Sequence, residues 1–204
     1  MEYSSIFRYK ELNIYIHQSG DYIDEIRSLT EEEAKAIRSL TEEEVKAIQS
    51  LTEKEANEIK SNTEETDSKR RVEELASGTS EEITSLLEKC KSELKEYFDG
   101  RRKVFDLPLK MNGTEFQKKV WDKIARIEYG STKTYGEIAK EIGNEKVARA
   151  VGMAANKNPI QFVVPCHRVI GKNNKLVGYA GGLELKKNLL EMEEYGTRIH
   201  KINT

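Results

Sequence analysis

The stretch Thr134-Tyr135-Gly136-Glu137-Ile138-Ala139-Lys140-Glu141-Ile142-Gly143-Asn144-Glu145-Lys146-Val147-Ala148-Arg149-Ala150-Val151-Gly152-Met153-Ala154-Ala155-Asn156 decides how this chain is read. Thr134 with Glu137 three residues later is a capping box, which satisfies backbone N–H groups that a helix start leaves unpaired. It opens a short helix over Tyr135 to Ile142. Gly143-Asn144-Glu145 breaks that helix, and another follows from about Lys146 to Asn156. Helix, glycine-containing turn, helix is the helix-turn-helix pattern. The second helix carries Ala148, Ala150, Gly152, Ala154 and Ala155, so its backbone can approach a partner closely. It holds few polar side chains able to read base edges in a major groove. Sequence-tolerant docking in a nucleic-acid groove and tight packing against another helix both fit these residues.

Downstream lies Val163-Val164-Pro165-Cys166-His167-Arg168-Val169, a strand-like apolar run leading into a cysteine beside a histidine and an arginine. A thiol is nucleophilic as thiolate, and basic or cationic neighbours lower its pKa, so the run points to a held, activated sulfur. The same tripeptide fits a buried cysteine acting as a small hydrophobe. The surroundings separate the two readings. Taken with Ala148-Arg149-Ala150-Val151-Gly152, Asn158-Pro159 and Tyr179-Ala180-Gly181-Gly182-Leu183, the motif resembles the O6-alkylguanine-DNA alkyltransferases, from about Leu107 to Glu193 and with the PCHRV signature unbroken.

That resemblance implies direct-reversal DNA repair. An alkyl group passes irreversibly from O6-alkylguanine in double-stranded DNA to Cys166, once per molecule, in a monomer that uses no cofactor or metal. It implies His167 as the base, oriented by Glu193, which reaches it through a water. Tyr135 would offer its hydroxyl to the guanine, and Asn158 would join the recognition helix to the active-site segment. Arg149 would enter the duplex as the nucleotide flips out, with Ala148, Ala150 and Gly152 on the helix that lies in the minor groove. Tyr179 would wall the base pocket, and the Ala180 amide would address the modified oxygen. The carbonyls of Cys166 and Val169 would accept from the exocyclic amine. Val147 stands where the family usually has Ala, Ala180 where relatives often carry Ser, and Gln161 where some have Pro. The alternative is a non-catalytic alkylguanine-binding module, whose known kind lacks the nucleophile. A cysteine hydrolase would need a histidine remote in sequence.

The remaining chain bounds these readings. Over residues 1–109 there are 17 basic and 26 acidic side chains, a net of -9; over 110–204 there are 17 and 10, a net of +7. Opposite signs suggest two bodies, of which the basic one suits phosphates. The expected fold class is α+β, with an N-terminal α/β domain over 1–109 and a mainly helical DNA-binding and alkyltransferase domain over 110–204. Cys90 and Cys166 do not make a disulfide framework, and His17, His167 and His200 do not fall at metal-ligand spacing. His17 reads as a surface residue and Cys90 as a structural thiol. No run approaches the roughly 18 apolar residues of a membrane span, and Met1-Glu2-Tyr3-Ser4-Ser5 lacks signal-peptide character, so a cytoplasmic protein, or a nuclear one in a eukaryote, is expected.

Ile6 to His17 and Tyr22 to Ile26 read as a strand hairpin. An eleven-residue repeat follows at Arg27, Arg38 and Gln49, and each unit carries Thr-x-x-Glu. Three short capped helices or one long helix are both possible; the period of about 3.67 residues per turn favours a long helix inserted over about 27–60. Ile83, Leu86, Leu87, Cys90, Leu94, Tyr97 and Phe98 mark an amphipathic helix ending at Gly100. Lys103 to Leu109 reads as a short strand. Thr114 and Gln117 form another capping box, before a helix with Phe116, Val120, Trp121, Ile124 and Ile127 on its apolar face.

Overall fold

The computed structural model describes residues 2–37 and 85–202, without the side chains of 195 and 197–202. Three antiparallel strands come first: β1 (Glu2–Tyr9), β2 (Leu12–Ser19) and β3 (Tyr22–Leu29), in that order across the sheet. The expected hairpin is thus a three-strand meander. The stretch read as one strand from Ile6 to His17 is divided at Lys10, whose φ of 52° turns the chain so that Tyr9 pairs with Leu12. Ile14, Ile16, Ile23 and Ile26 face the core. His17 is no free surface residue. Its Nδ1 lies 2.7 Å from Asp24 and its Nε2 3.2 Å from Glu2, so it is held between two carboxylates.

β3 also takes in Arg27 to Leu29, which the repeat had assigned to a helix. The first capping box nevertheless forms: Thr30 N donates to Glu33 Oε2 at 2.8 Å and Glu33 N to Thr30 Oγ1 at 3.1 Å. Helix follows over residues 31–37, and the rest of the repeat lies outside the described residues.

Helix α1 (Ser85–Phe98) buries Leu87, Cys90, Leu94, Tyr97 and Phe98. It ends at Gly100, whose φ of 73° favours glycine. Burial pushes the Cys90 thiol up to about 12. The expected strand at 103–109 is absent apart from a parallel bridge between Leu109 and Ile23. Side chains occupy its backbone instead, since Asp106 N donates to Glu93 Oε2.

Helix α2 (Glu115–Ala125) starts at the Thr114–Gln117 capping box and buries Val120, Trp121 and Ile124. Ile127 is buried just beyond its end. A Cβ at Gly113 would lie 2.6 Å from the Trp121 ring, so only glycine allows this approach. The indole donates to Ala154 O at 2.8 Å, tying α2 to the helix-turn-helix. That unit comprises α3 (Tyr135–Glu141), capped by Thr134 and Glu137, a turn through Gly143 at φ 88°, a 3-10 turn (Glu145–Val147) and α4 (Ala148–Asn156). Short parallel strands β4 (Lys133–Thr134) and β5 (Val169–Ile170) join the start of α3 to the segment after Cys166, and α5 (Leu183–Ile202) closes the chain.

One hydrophobic cluster runs through sheet, α1, α2 and the helix-turn-helix. Backbone bonds also join the halves: Ile26 N donates to Pro159 O at 2.9 Å and Gln161 N to Ile26 O at 2.8 Å. Among the described residues no helix is long and apolar enough to cross a membrane.

Candidate active site

Cys166 opens a 3-10 turn, Cys166–Arg168, immediately before β5. Such a turn has about three residues per revolution, so the three side chains diverge. Cys166 lines a pocket of about 90 Å³ with Tyr135, Gly152, Ala155, Asn156, Gly178 and Tyr179. His167 and Arg168 go elsewhere, and both reach Glu193 on α5. The arginine therefore does not act on the sulfur as its position in sequence suggested. Burial pushes the Cys166 thiol up to about 12, against the opposing pull of an Asn158 hydrogen bond and the Lys186 charge. In this closed arrangement the sulfur is a thiol.

Glu193 is fully buried, whereas Glu191 and Glu194 are exposed. Its Oε1 lies 2.9 Å from His167 Nε2, a direct contact where an intervening water had been expected. Arg168 Nε donates to Oε2 at 2.9 Å and Nη2 to Oε1 at 2.9 Å, while Gly130 N donates to Oε2 at 3.0 Å. Burial alone would raise this carboxyl, but hydrogen bonds from His167 and Arg168 bring it down to about 2. The ionised carboxylate can only accept, so it assigns the His167 proton to Nε2. That leaves the lone pair on Nδ1, which is buried without a hydrogen-bond partner among the described residues. Burial lowers the His167 pKa, so the ring rests neutral.

Asn158 follows α4 and spans the next turn. Its Nδ2 donates to Val164 O at 2.8 Å, its Oδ1 accepts from Ile160 N at 3.0 Å, and its backbone N donates to Ala155 O. It thereby connects the end of α4 to the run leading into Cys166. Tyr135 starts α3 and donates to Val177 O at 3.2 Å, beside the thiol. Burial, then the neighbouring Cys166, raise its pKa and keep it a phenol. The Tyr179 hydroxyl is buried with no hydrogen-bond partner among the described residues.

The structure does not gather every expected residue here. Gly152 packs on the Tyr135 ring and lines the pocket, but Arg149 is exposed on α4, outside it, with Ala148 and Ala150 beside it on the same helix. Ala180 is exposed and lines a different cavity. The carbonyls assigned to base recognition are already engaged: Cys166 O by Val169 N, and Val169 O by Lys186 Nζ.

Two contributors went unread in the sequence. Tyr97 on α1 donates to Glu193 Oε1 at 2.6 Å, so the N-terminal half reaches the His167–Glu193 pair. Lys186 is fully buried and bonds the carbonyls of Val169, Val177 and Gly178. Burial lowers it to about 8, with Cys166 acting in the opposite sense. Its signal was the spacing Lys186, Leu189, Glu193, which places all three on one helical face.

Residues 115–195 match the family described as 6-O-methylguanine DNA methyltransferase, DNA binding domain, and residues 47–111 the one described as 6-O-methylguanine DNA methyltransferase, ribonuclease-like domain. The chain is 59% identical over 101 residues to the methylated-DNA–protein-cysteine methyltransferase of Methanosarcina acetivorans, a match covering 50% of this chain and 65% of that protein. It is 48% identical over 121 residues to the constitutive protein of that name from Bacillus subtilis, covering 59% and 73%. The fold is similar to the crystal structure of the Mycobacterium tuberculosis O6-methylguanine methyltransferase, with TM-score 0.66, 30% identity and coverage of 96% and 94%. It is equally similar to M. tuberculosis OGT in complex with DNA, with TM-score 0.66, 31% identity and coverage of 95% and 94%.

Proposed function

The chain belongs to the O6-methylguanine DNA methyltransferase family, and from this premise we propose that it repairs DNA by moving the O6-alkyl group of a flipped guanine onto Cys166. The observation that carries the reading is the pairing of two features. A cysteine sits in a tyrosine-walled pocket, and the adjacent histidine has one nitrogen fixed by a buried carboxylate and the other free.

The chemistry follows from those groups. The Cys166 thiol loses its proton, by way of solvent, to His167 Nδ1 as sulfur attacks the alkyl carbon; the S–C bond forms while the C–O6 bond breaks. The electron pair leaves with guanine, which takes a proton from the Tyr135 phenol. The imidazolium then returns a proton through solvent to that tyrosine. Glu193 stabilises the imidazolium, and Tyr97 and Arg168 hold Glu193 in place. The product is a thioether with no easy hydrolytic exit, so each molecule reacts once. No cofactor enters this step.

Double-stranded DNA is the proposed partner. The small-residue helix α4 would lie in the minor groove, with exposed Arg149 occupying the space left by the flipped nucleotide. A pocket of about 90 Å³ is below the 300 Å³ or so typical of ligand sites, so the loop carrying Gly178 and Tyr179 must move as the base enters.

Incubation with a duplex carrying one O6-methylguanine, followed by intact-mass analysis, tests the proposal. The chain should gain one methyl group, mapped to Cys166, and Cys166→Ala should gain none while still binding the duplex. Methyl transfer that persists in that variant, or label on Cys90, would refute the assignment.

A further inference from the structure

The two oxygens of Glu193 carry different loads. Oε2 accepts from Arg168 Nε at 2.9 Å and Gly130 N at 3.0 Å, whereas Oε1 accepts from His167 Nε2 and Arg168 Nη2, each at 2.9 Å, and from the Tyr97 hydroxyl at 2.6 Å. Arg168 and Gly130 belong to the C-terminal half, but Tyr97 arrives on α1 from the N-terminal half. Its ring is fully buried among Phe98, Phe105 and Tyr129, with centroids 5.4, 5.3 and 6.2 Å away, so the hydroxyl cannot swing out to solvent. Burial, then the Glu193 charge, push Tyr97 well above the ordinary phenol range, which keeps it a donor at any pH where transfer would run.

A donor on a carboxylate oxygen neutralises part of its charge, so donors that share one oxygen weaken one another. His167 becomes an imidazolium when it takes the Cys166 proton, and the charge left on Oε1 is what favours that cation. The Tyr97 hydroxyl therefore opposes protonation of His167. Its oxygen also lies 3.2 Å from His167 Nε2, where it could accept the ring N–H and favour the cation. That contact is long and neutral, whereas the 2.6 Å bond to the carboxylate is charge-assisted and about twice as strong, so the opposing effect wins. Also facing the ring are Cys166 and Arg168 in its own turn, Lys186 on α5 and Tyr179 in the loop before it. Burial lowers His167 most, Glu193 raises it, and the Arg168 and Lys186 charges lower it.

We propose that Tyr97 is a positioning residue whose hydroxyl draws Glu193 charge away from His167 and so sets the lowest pH at which the imidazole is neutral and able to take the Cys166 proton. This rests on the alkyltransferase reading. Tyr97 does not line the Cys166 pocket, so it acts through Glu193 and His167 and not on the alkyl group. With the hydroxyl in place the carboxylate is partly neutralised and the ring gives up its proton readily. Without it, the same carboxylate holds a proton on the ring, and the base is lost at a higher pH.

The test compares the full chain with Tyr97→Phe and with Tyr129→Phe, a packing control whose ring lies on Tyr97 but whose hydroxyl has no hydrogen-bond partner among the described residues. Heteronuclear NMR follows the His167 ring against pH, told from His17 and His200 by single replacements, and single-turnover methyl transfer from an O6-methylguanine duplex gives the pH–rate profile. A charge-assisted hydrogen bond is worth about one pK unit or more and passes part of that to its neighbour, so in Tyr97→Phe the His167 midpoint and the acid limb of the profile should both move up by about half a unit to one unit. On the acid side that is roughly a three- to tenfold slower transfer than in the parent, a deficit that shrinks as pH rises. Tyr129→Phe should keep the parent midpoint. A ring-fluorinated tyrosine placed at position 97 is a stronger donor of nearly the same shape; it should move the midpoint down, and it carries the test if Tyr97→Phe fails to fold. A midpoint unmoved by either change at Tyr97, a rate reduced by one factor at every pH, or an equal shift in Tyr129→Phe makes Tyr97 a packing residue and overturns the proposal. A parent that transfers no methyl overturns the alkyltransferase reading, while the NMR titration still decides whether Tyr97 governs the ring.

Discussion

Glu193 collects donors from Tyr97, Gly130, His167 and Arg168 in a site sealed from solvent, and this makes one carboxylate the hub of a buried hydrogen-bond network. Replacing it by Gln keeps the shape but leaves Arg168 buried without its counter-ion, a loss of about 3–5 kcal/mol. The pH dependence has a definite sign. The folded pKa is depressed to about 2 from an ordinary 4.5, so the contribution is complete above about 4.5 and fades as pH falls toward 2. Urea unfolding of the parent and of Glu193→Gln should show a constant stability gap from neutral pH to about 5 that narrows below 4.5. A gap that stays constant down to pH 3 or so would mean that the carboxylate is not the charged hub described. At this scale the sequence motif singled out Cys166, His167 and Asn158, which the structure places at the pocket, against Glu193 and against the run before the cysteine respectively. It misjudged Arg168, since successive side chains on a 3-10 turn diverge, and it missed Tyr97, whose partner Glu193 lies 96 residues away.

The elements most legible in the sequence are those with explicit start signals. Capping boxes at Thr114 and Thr134 placed α2 and α3, and Thr30 placed the helical turn over 31–37. The sheet was harder. Lys10 adopts a positive φ that sequence reasoning reserves for Gly or Asn, so β1 and β2 read as one strand. Leu29 looked helical because the repeat copies it at helical spacing, although tertiary pairing with Asn13 puts it in β3. For α4 the small residues left groove docking and helix packing open, and the structure shows one face used for packing. Val151, Ala154 and Ala155 are buried, while Arg149 and Met153 are exposed. If that outer face meets DNA, Arg149→Ala should slow transfer from a duplex far more than transfer from the free O6-benzylguanine base, which needs no extrusion. A loss of about one to two kcal/mol corresponds to roughly a 5- to 30-fold fall on the duplex, with the free-base rate within about twofold of the parent. Parallel single-turnover assays decide this. Equal losses on both substrates would make Arg149 a support of the fold.

Across the whole molecule the charge division and the packing point in different directions. The acidic half and the basic half differ by sign, which led to a boundary near 109–110, and charge is a surface property that says nothing about how cores are shared. In the structure the cluster containing Ile14, Ile26 and Leu94 continues into Val120, Trp121 and Ile160. β3 pairs with Ile160 and Leu109, and Tyr97 on α1 enters the hub around Glu193. Two halves joined by a common core, backbone pairing and a buried hydrogen-bond network should unfold together, because exposing one half strips the other of apolar cover. Trp121 is the only tryptophan and reports on the C-terminal half, while the far-ultraviolet circular dichroism includes the sheet of the N-terminal half. Equilibrium urea unfolding followed by both signals should give coincident transitions with one midpoint. Deleting the Tyr97 hydroxyl by Tyr97→Phe should lower both midpoints together. If the two signals separate, with the sheet lost while Trp121 remains buried, the halves are independent domains and the Tyr97–Glu193 bond and the β3 pairing do not couple their unfolding.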